Sequence, residues 1–183
     1  MEFKELELQG VYLITPNVFG DNRGFFMETY NQKLFEDAGL NLNFIQDNHS
    51  RSAKGTLRGI HYQLPPFAQD KLVRVTQGAV IDVAVDLRMS SDTFGKHVAV
   101  ELSEDNKQML LVPKGFGHAF IALTDTVDFQ YKVTAPYAPD HDRGIAWDDP
   151  ALGIDWGVKE PILSEKDTKH RRLSDVPKAE LFE

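Results

Sequence analysis

Apolar and polar residues alternate with a period of two along most of this chain, in short runs broken by Gly, Pro, Asn and Asp. Val11 to Ile14 is one such run, ended by Pro16. Asp21-Asn22-Arg23-Gly24 predicts a turn, and Phe25 to Tyr30 a strand with Phe26, Glu28 and Tyr30 on one face. Asn31 to Ala38 predicts one short helix, with Asn31 as N-cap and Gly39 as stop. Further strands are predicted at Phe44 to His49, Thr56 to Gln63, Lys96 to Leu102, Lys107 to Val112, His118 to Leu123 and Thr126 to Thr134. Lys71 to Gly78 and Ala79 to Leu87 predict a hairpin-like pair. Arg51 to Gly55 and Pro136 to Arg143 read as polar loops, Gly144 to Trp147 and Gly153 to Trp156 as strand pieces, and Ser164 as the start of a charged terminal helix. Many short strands with little helix predict an all-β sandwich or barrel.

The alternation also sorts candidate chemistry by face. Leu57, Gly59, His61 and Gln63 share one side of their strand, and Arg58, Ile60 and Tyr62 the other. His61 so placed reads two ways: a hydrogen-bonded core residue, or a titrating group turned into a pocket. In Ala79 to Leu87 the odd positions form an apolar face, with Asp82 and Asp86 opposite. Tyr131 lies among Val127, Phe129 and Val133, where a core tyrosine tied to a carbonyl is the plain alternative to a chemical role. Glu28 beside an aromatic, and Gln46 with Asn48, are solvated residues or ligands for a base or sugar.

Composition narrows the function classes. A length of 183 residues suits one domain spanning 1–183. The net charge of −8 repels nucleic acid, so an anionic ligand needs a few placed Arg and Lys side chains. The chain has no Cys, which removes disulfides and thiolate metal sites and fits a reducing cytoplasm. No apolar run is long enough to span a membrane, and Met1 to Gly10 is too polar for a signal peptide.

Pro113-Lys114-Gly115-Phe116-Gly117-His118 resembles the second motif of the cupin superfamily, which implies a double-stranded β-helix, or jelly roll, here with short peripheral helices. The metal-binding His-x-His of the first cupin motif is His61-Tyr62-Gln63 here, and no Glu stands four or five residues beyond Gln63. His61 and His118 alone are a poor site for a divalent ion, so no metal is expected. Within cupins the chain resembles the dTDP-4-dehydrorhamnose 3,5-epimerase family. The matching segments, in order, include Gly20 to Phe26, Phe44 to Ser50, Leu57 to Gln63, Asp70 to Val75, Tyr131 to Thr134, Trp147 to Pro150 and Leu163 to Asp167.

The resemblance implies epimerisation at both carbons flanking the ketone of a dTDP-keto-sugar, without cofactor. It implies His61 as base, Asp167 as its hydrogen-bond partner, Lys71 at the enolate oxygen and Tyr131 as acid on the opposite face. It implies Arg23 and Arg58 at the diphosphate, Tyr137 stacked on the thymine, and His118 at the sugar. Phe26, Glu28, Gln46, Asp47, Asn48, Asp142 and Lys166 match further binding positions, Asp142 standing where some relatives have Glu. It also implies a homodimer whose N-terminal strands cross over, so that Arg23 and Glu28 serve the neighbour. Strict alternation puts Arg58 and His61 on opposite faces; a bulge at Gly59 or a contribution across subunits would reconcile them. A single-centre epimerase or ketoisomerase, a metal-dependent oxygenase and a non-catalytic nucleotide-sugar binder are the rival readings.

Overall fold

The computed structural model covers residues 1–183. Thirteen strands are formed: β1 Glu2–Glu5, β2 Tyr12–Thr15, β3 Val18–Asp21, β4 Gly24–Met27, β5 Gln46–Ala53, β6 Leu57–Gln63, β7 Lys71–Gln77, β8 Ala79–Asp86, β9 His97–Ser103, β10 Met109–Val112, β11 Phe116–Ala122, β12 Thr126–Val133 and β13 Asp142–Gly144. One short helix, α1 (Gln32–Asp37), is capped by the Asn31 side chain as its sequence predicts.

Two antiparallel sheets face each other in the jelly-roll manner. The larger has the order β1-β2-β10-β7-β12-β5, and the smaller β13-β6-β11-β8-β9. Val73, Val75, Leu110, Val127 and Phe129 of the larger sheet meet Val80, Ala84, Leu102, Phe116 and Phe120 of the smaller. The smaller sheet is covered again on its outside, where Leu57, Ile60, Val83, Val85 and Ile121 pack under Ile145, Leu152, Trp156 and Val176. The apolar odd positions of β8 therefore face this outer layer, and Asp82 faces the space between the sheets. On the larger sheet's outside, Phe35 of α1 packs on Ile14, Leu72, Met109 and Leu111.

Several boundaries differ from the sequence reading. β1 pairs with β2 as an edge strand despite its charge. β3 and β4 form a separate hairpin. The strand expected through Tyr30 stops at Met27, because Tyr30 turns inward to pack edge-on against Phe35 and Phe44 with ring centroids 5.0 and 5.2 Å away. β5 continues through the expected loop to Ala53, paired with β12. The expected polar loop ends in β13, which adds to the edge of β6. Gly153 to Trp156 makes no strand: Gly153 turns at φ +60°, and Trp156 is buried with its Nε1–H donating to the Trp147 carbonyl at 2.8 Å. The terminal helix shrinks to one 3-10 turn, Asp167–Lys169. Beyond it the chain turns back, and Ala146 N donates to the Arg171 carbonyl at 2.8 Å.

Candidate functional site

The site is built around a defect in β6. Opposite β11, His61 pairs with His118 but Arg58 pairs with Phe120, so β6 carries one residue more than its partner between them. The bulge falls at Gly59, whose φ of +129° suits glycine and whose added Cβ would lie 2.3 Å from Ala119 Cβ. The extra residue shifts the phase. Leu57 joins Ile60 and Tyr62 in the outer layer, while Arg58 and His61 share the inner side. Strict alternation fails here for that reason.

His61 Nε2 lies 2.5 Å from Asp167 Oδ1, with the imidazole 31% and the carboxylate 3% exposed. Ser164 Oγ donates to Asp167 Oδ2 at 2.8 Å and accepts from Asp167 N at 3.2 Å. The pattern read in sequence as a helix cap thus aims the carboxylate at His61. Beside His61 stands a second pair, His118 Nε2 at 2.9 and 3.0 Å from the two oxygens of buried Asp82.

Lys71 opens β7. Its neighbour Asp70 anchors the strand start, accepting from Thr134 Oγ1 at 2.8 Å and from Lys114 N at 3.1 Å. Lys71 Nζ then reaches to 3.5 Å from the His61 carbonyl. Tyr131 faces the inter-sheet space from β12, beside Phe129 with ring centroids 6.1 Å apart. Asn48 pairs with Tyr131 across the sheet and accepts from Gln46 Nε2 at 2.9 Å. Arg58 Nε donates to Ser52 Oγ at 3.0 Å. At the end of β6, Tyr137 donates to Asp142 Oδ2 at 3.0 Å and Lys166 pairs with the same carboxylate. Gln63 clasps that loop: its amide donates to the Pro136 carbonyl at 3.0 Å and accepts from Ala138 N at 2.8 Å.

Four predicted residues are not brought to this cluster within one chain. Asp47 points to the outer face of its sheet and pairs with Lys132 at 2.8 Å, because its neighbours Gln46 and Asn48 take the inward positions. Arg23 lies at the exposed hairpin tip, paired with Asp21, and Phe26 of the same hairpin is 66% exposed. Glu28 accepts from Asn31 Nδ2 at 3.1 Å. One unpredicted residue joins the cluster: His170, with Nε2 3.6 Å from Asp167 Oδ1 and its ring edge-on to His61. Its three-residue spacing from Asp167 was the available signal.

The environments set protonation. Burial pulls His61 below its usual range, against the Asp167 carboxylate that favours its charged form; Lys71 and Lys166 add to the lowering. Burial would raise Asp167, but His170, His61 and Ser164 hold it well below the usual carboxylate range. Lys71 is pushed down to about 8 by burial, partly offset by Asp142 and Asp82. Burial raises the Tyr131 phenol, with Arg58 opposing. The cluster thus combines an uncharged imidazole, a phenol that keeps its proton and an ammonium poised to titrate. His61, Asp167 and His170 place one ligand atom each within 4.8 Å of one another. The 2.5 Å between His61 and Asp167 is a short hydrogen-bond distance.

The sequence profile described as dTDP-4-dehydrorhamnose 3,5-epimerase matches residues 5–175. The chain is 51% identical over 177 residues to the dTDP-4-dehydrorhamnose 3,5-epimerase of Shigella flexneri, covering 96% of this chain and 98% of that one. It superposes with TM-score 0.95 and 43% identity on the dTDP-6-deoxy-D-glucose-3,5-epimerase of Legionella pneumophila solved with dTDP-4-keto-L-rhamnose, covering 99% and 97% of the two chains. A 3'-monoepimerase from Streptomyces bikiniensis, solved with dTDP-quinovose, is further away at 34% identity and TM-score 0.88, covering 92% and 86%. With the jelly roll, the His61–Asp167 pair and a match over nearly the whole length, the chain belongs to the dTDP-4-dehydrorhamnose 3,5-epimerase family.

Proposed function

We propose that the protein epimerises dTDP-4-dehydro-6-deoxy-D-glucose at C3 and C5, giving dTDP-4-dehydro-L-rhamnose. The observation that carries this is the opposition of two sheets across one interior. The smaller sheet brings His61, backed by Asp167; the larger brings Tyr131 and Lys71. Inversion beside a ketone needs a base on one face of the ring, an acid on the other, and a positive group at the oxygen.

Neutral His61 donates Nε2–H to Asp167 and keeps the Nδ1 lone pair for the α-proton. Asp167 then holds the imidazolium formed. Lys71 stabilises the enolate oxygen, an effect of about 3–4 kcal/mol for a placed donor in a dry site. Tyr131 returns a proton from the far side. The chemistry needs no metal or organic cofactor, because the ketone itself is the electron sink. Arg58 holds the diphosphate, with Gln46, Asn48, His118, Tyr137, Asp142 and Lys166 as further contacts. Asp47, turned outward, is left out of this set.

Arg23, Phe26 and Glu28 fit the reading as contributions to a second copy. Phe19, Phe25 and Phe26 of the β3–β4 hairpin are 64%, 60% and 66% exposed, an apolar arm without cover in one chain. A homodimer exchanging these arms would cover it and bring a second arginine to the diphosphate. The chain acts as one unit over 1–183. No helix is long and apolar enough to cross a membrane, and the absence of Cys suits a cytoplasmic setting.

Turnover in D₂O tests the reaction: deuterium should enter both C3 and C5. Label at one carbon only would replace this reading with the single-centre one that the Streptomyces relative illustrates. His61→Asn should retain dTDP binding while turnover falls about 10⁴-fold. Undiminished turnover would remove His61 as the base.

A further inference from the structure

His170 has no part in the proton transfers above, yet it is built into the site. Its Nε2 is fully buried and makes no hydrogen bond, the one such side-chain atom in the protein. That atom stands 3.6 Å from Asp167 Oδ1, the same oxygen that meets His61 at 2.5 Å. The two imidazoles are edge to face with centroids 5.6 Å apart.

Its position is tightly enforced. Gly144 of β13 pairs with His61 of β6, and a Cβ on Gly144 would fall 2.3 Å from His170 Nε2. On the other side Arg171 is bound to the Ile145–Ala146 backbone. The ring is thus fixed between a strand edge and the carboxylate. A lone pair on Nε2 would face the negative oxygen, which disfavours that tautomer; an N–H there points its positive end at Asp167.

We propose that His170 is a positioning residue: its buried Nε2–H, aimed at Asp167 Oδ1 from 3.6 Å, acts electrostatically on the carboxylate and sets how firmly it holds His61 and its proton. The inference rests on His61 being the base. A carboxylate whose negative charge is partly balanced by a second N–H dipole is a weaker partner for His61, which then gives up its proton more readily between turnovers. The other charged groups that act on His61 are Lys71 from β7 and Lys166 next to Asp167, with the His118–Asp82 pair of β11 and β8 as its register neighbour; Arg58 and Asp142 act on Tyr131 of β12 across the site. All of them stay when His170 is replaced.

The test tracks the acidic limb of kcat/KM together with the NMR titration of the His61 ring in wild type, His170→Leu and His170→Gln. His170→Leu should move both upward by about half a unit to one unit. His170→Gln, which keeps an N–H, should return them toward wild type. A purely structural His170 would lower activity at every pH and leave the His61 titration in place; that result overturns the inference. Nitrogen shifts of His170 in the unaltered protein give an arm independent of any variant's folding. The Nε2–H tautomer is required, and an Nδ1–H tautomer defeats the proposal. If wild type shows no His61 titration in its acidic limb, the base assignment fails instead.

Discussion

Two histidine–carboxylate pairs lie side by side in this protein, since His61 and His118 are register partners across β6 and β11. They are chemically alike and physically different. His118–Asp82 is made within one sheet, with side chains 9% and 0% exposed. His61–Asp167 joins a strand to a segment 106 residues later, and its imidazole is 31% exposed. The first pair is nearly closed, with His118 stacked toward Phe129 at 6.1 Å between ring centroids and only a ring edge left for contact. The second has one carboxylate sealed and one imidazole open to a ligand. Proton transfer to substrate needs that asymmetry: the partner must be dry enough to act and the base accessible.

The comparison can be broken most sharply at the carboxylates. Asp167→Asn should lower kcat about 10²–10⁴-fold, because the imidazolium loses its counter-charge and its tautomer control. Steady-state kinetics with dTDP binding as a control reads this. A loss under tenfold would mean that the two pairs do not differ in role.

Lys71 feels both regions, since its charge is favoured by Asp82 of one pair and opposed by Lys166 beside the other. Lys71→Met should cost about 10²–10³-fold in kcat. The same group predicts the pH profile. In the proposed mechanism Lys71 works protonated, so kcat/KM should fall as pH rises through about 8. As the proposed base His61 works unprotonated, and burial lowers its proton affinity, so the acidic limb should lie below the ordinary imidazole value of 6.5. Loss of the alkaline limb in Lys71→Met, with residual activity, would assign it.

Asp82→Asn should touch turnover least, by less than about tenfold, and stability most. Breaking a buried pair costs about 3 kcal/mol, a fall in Tm of about 6–12 °C for a chain this size. Calorimetry alongside kinetics separates the two effects. A variant that keeps its Tm and loses its activity would give the His118–Asp82 pair the role assigned to His61–Asp167.

The sequence made the strands and the all-β class legible because period-two patterning survives wherever one face is buried, and the cupin-like motif at Pro113 to His118 narrowed that class to the jelly roll. It also carried the motif residues His61, Lys71, His118 and Tyr131, each of which stands on a strand. What it hid is local and irregular. The phase change at Gly59 escapes alternation alone, since one added residue reverses every later side chain; a bulge there is one of two ways to set Arg58 beside His61, and the strand register bears it out. The resemblance groups Asp47 with Gln46 and Asn48, although alternation alone puts it on the opposite face, where the structure has it. Ser164 and Asp167 read as a helix start because their mutual hydrogen bonds are those of a cap. The path of the chain beyond them is decided instead by distant pairing with Ile145. His170 was hidden for the same reason: its neighbours at the site come from β6 and β13.

The carboxylate behind His61 arrives only after every strand of both sheets has been laid down. The strands and the counter-charge behind the base therefore come from separate stretches of the sequence. The segment that delivers Asp167 also roofs Leu57, Ile60 and Val83 through Trp156 and Val176. Seating the tail thus seals the outer core and arms His61 in a single event.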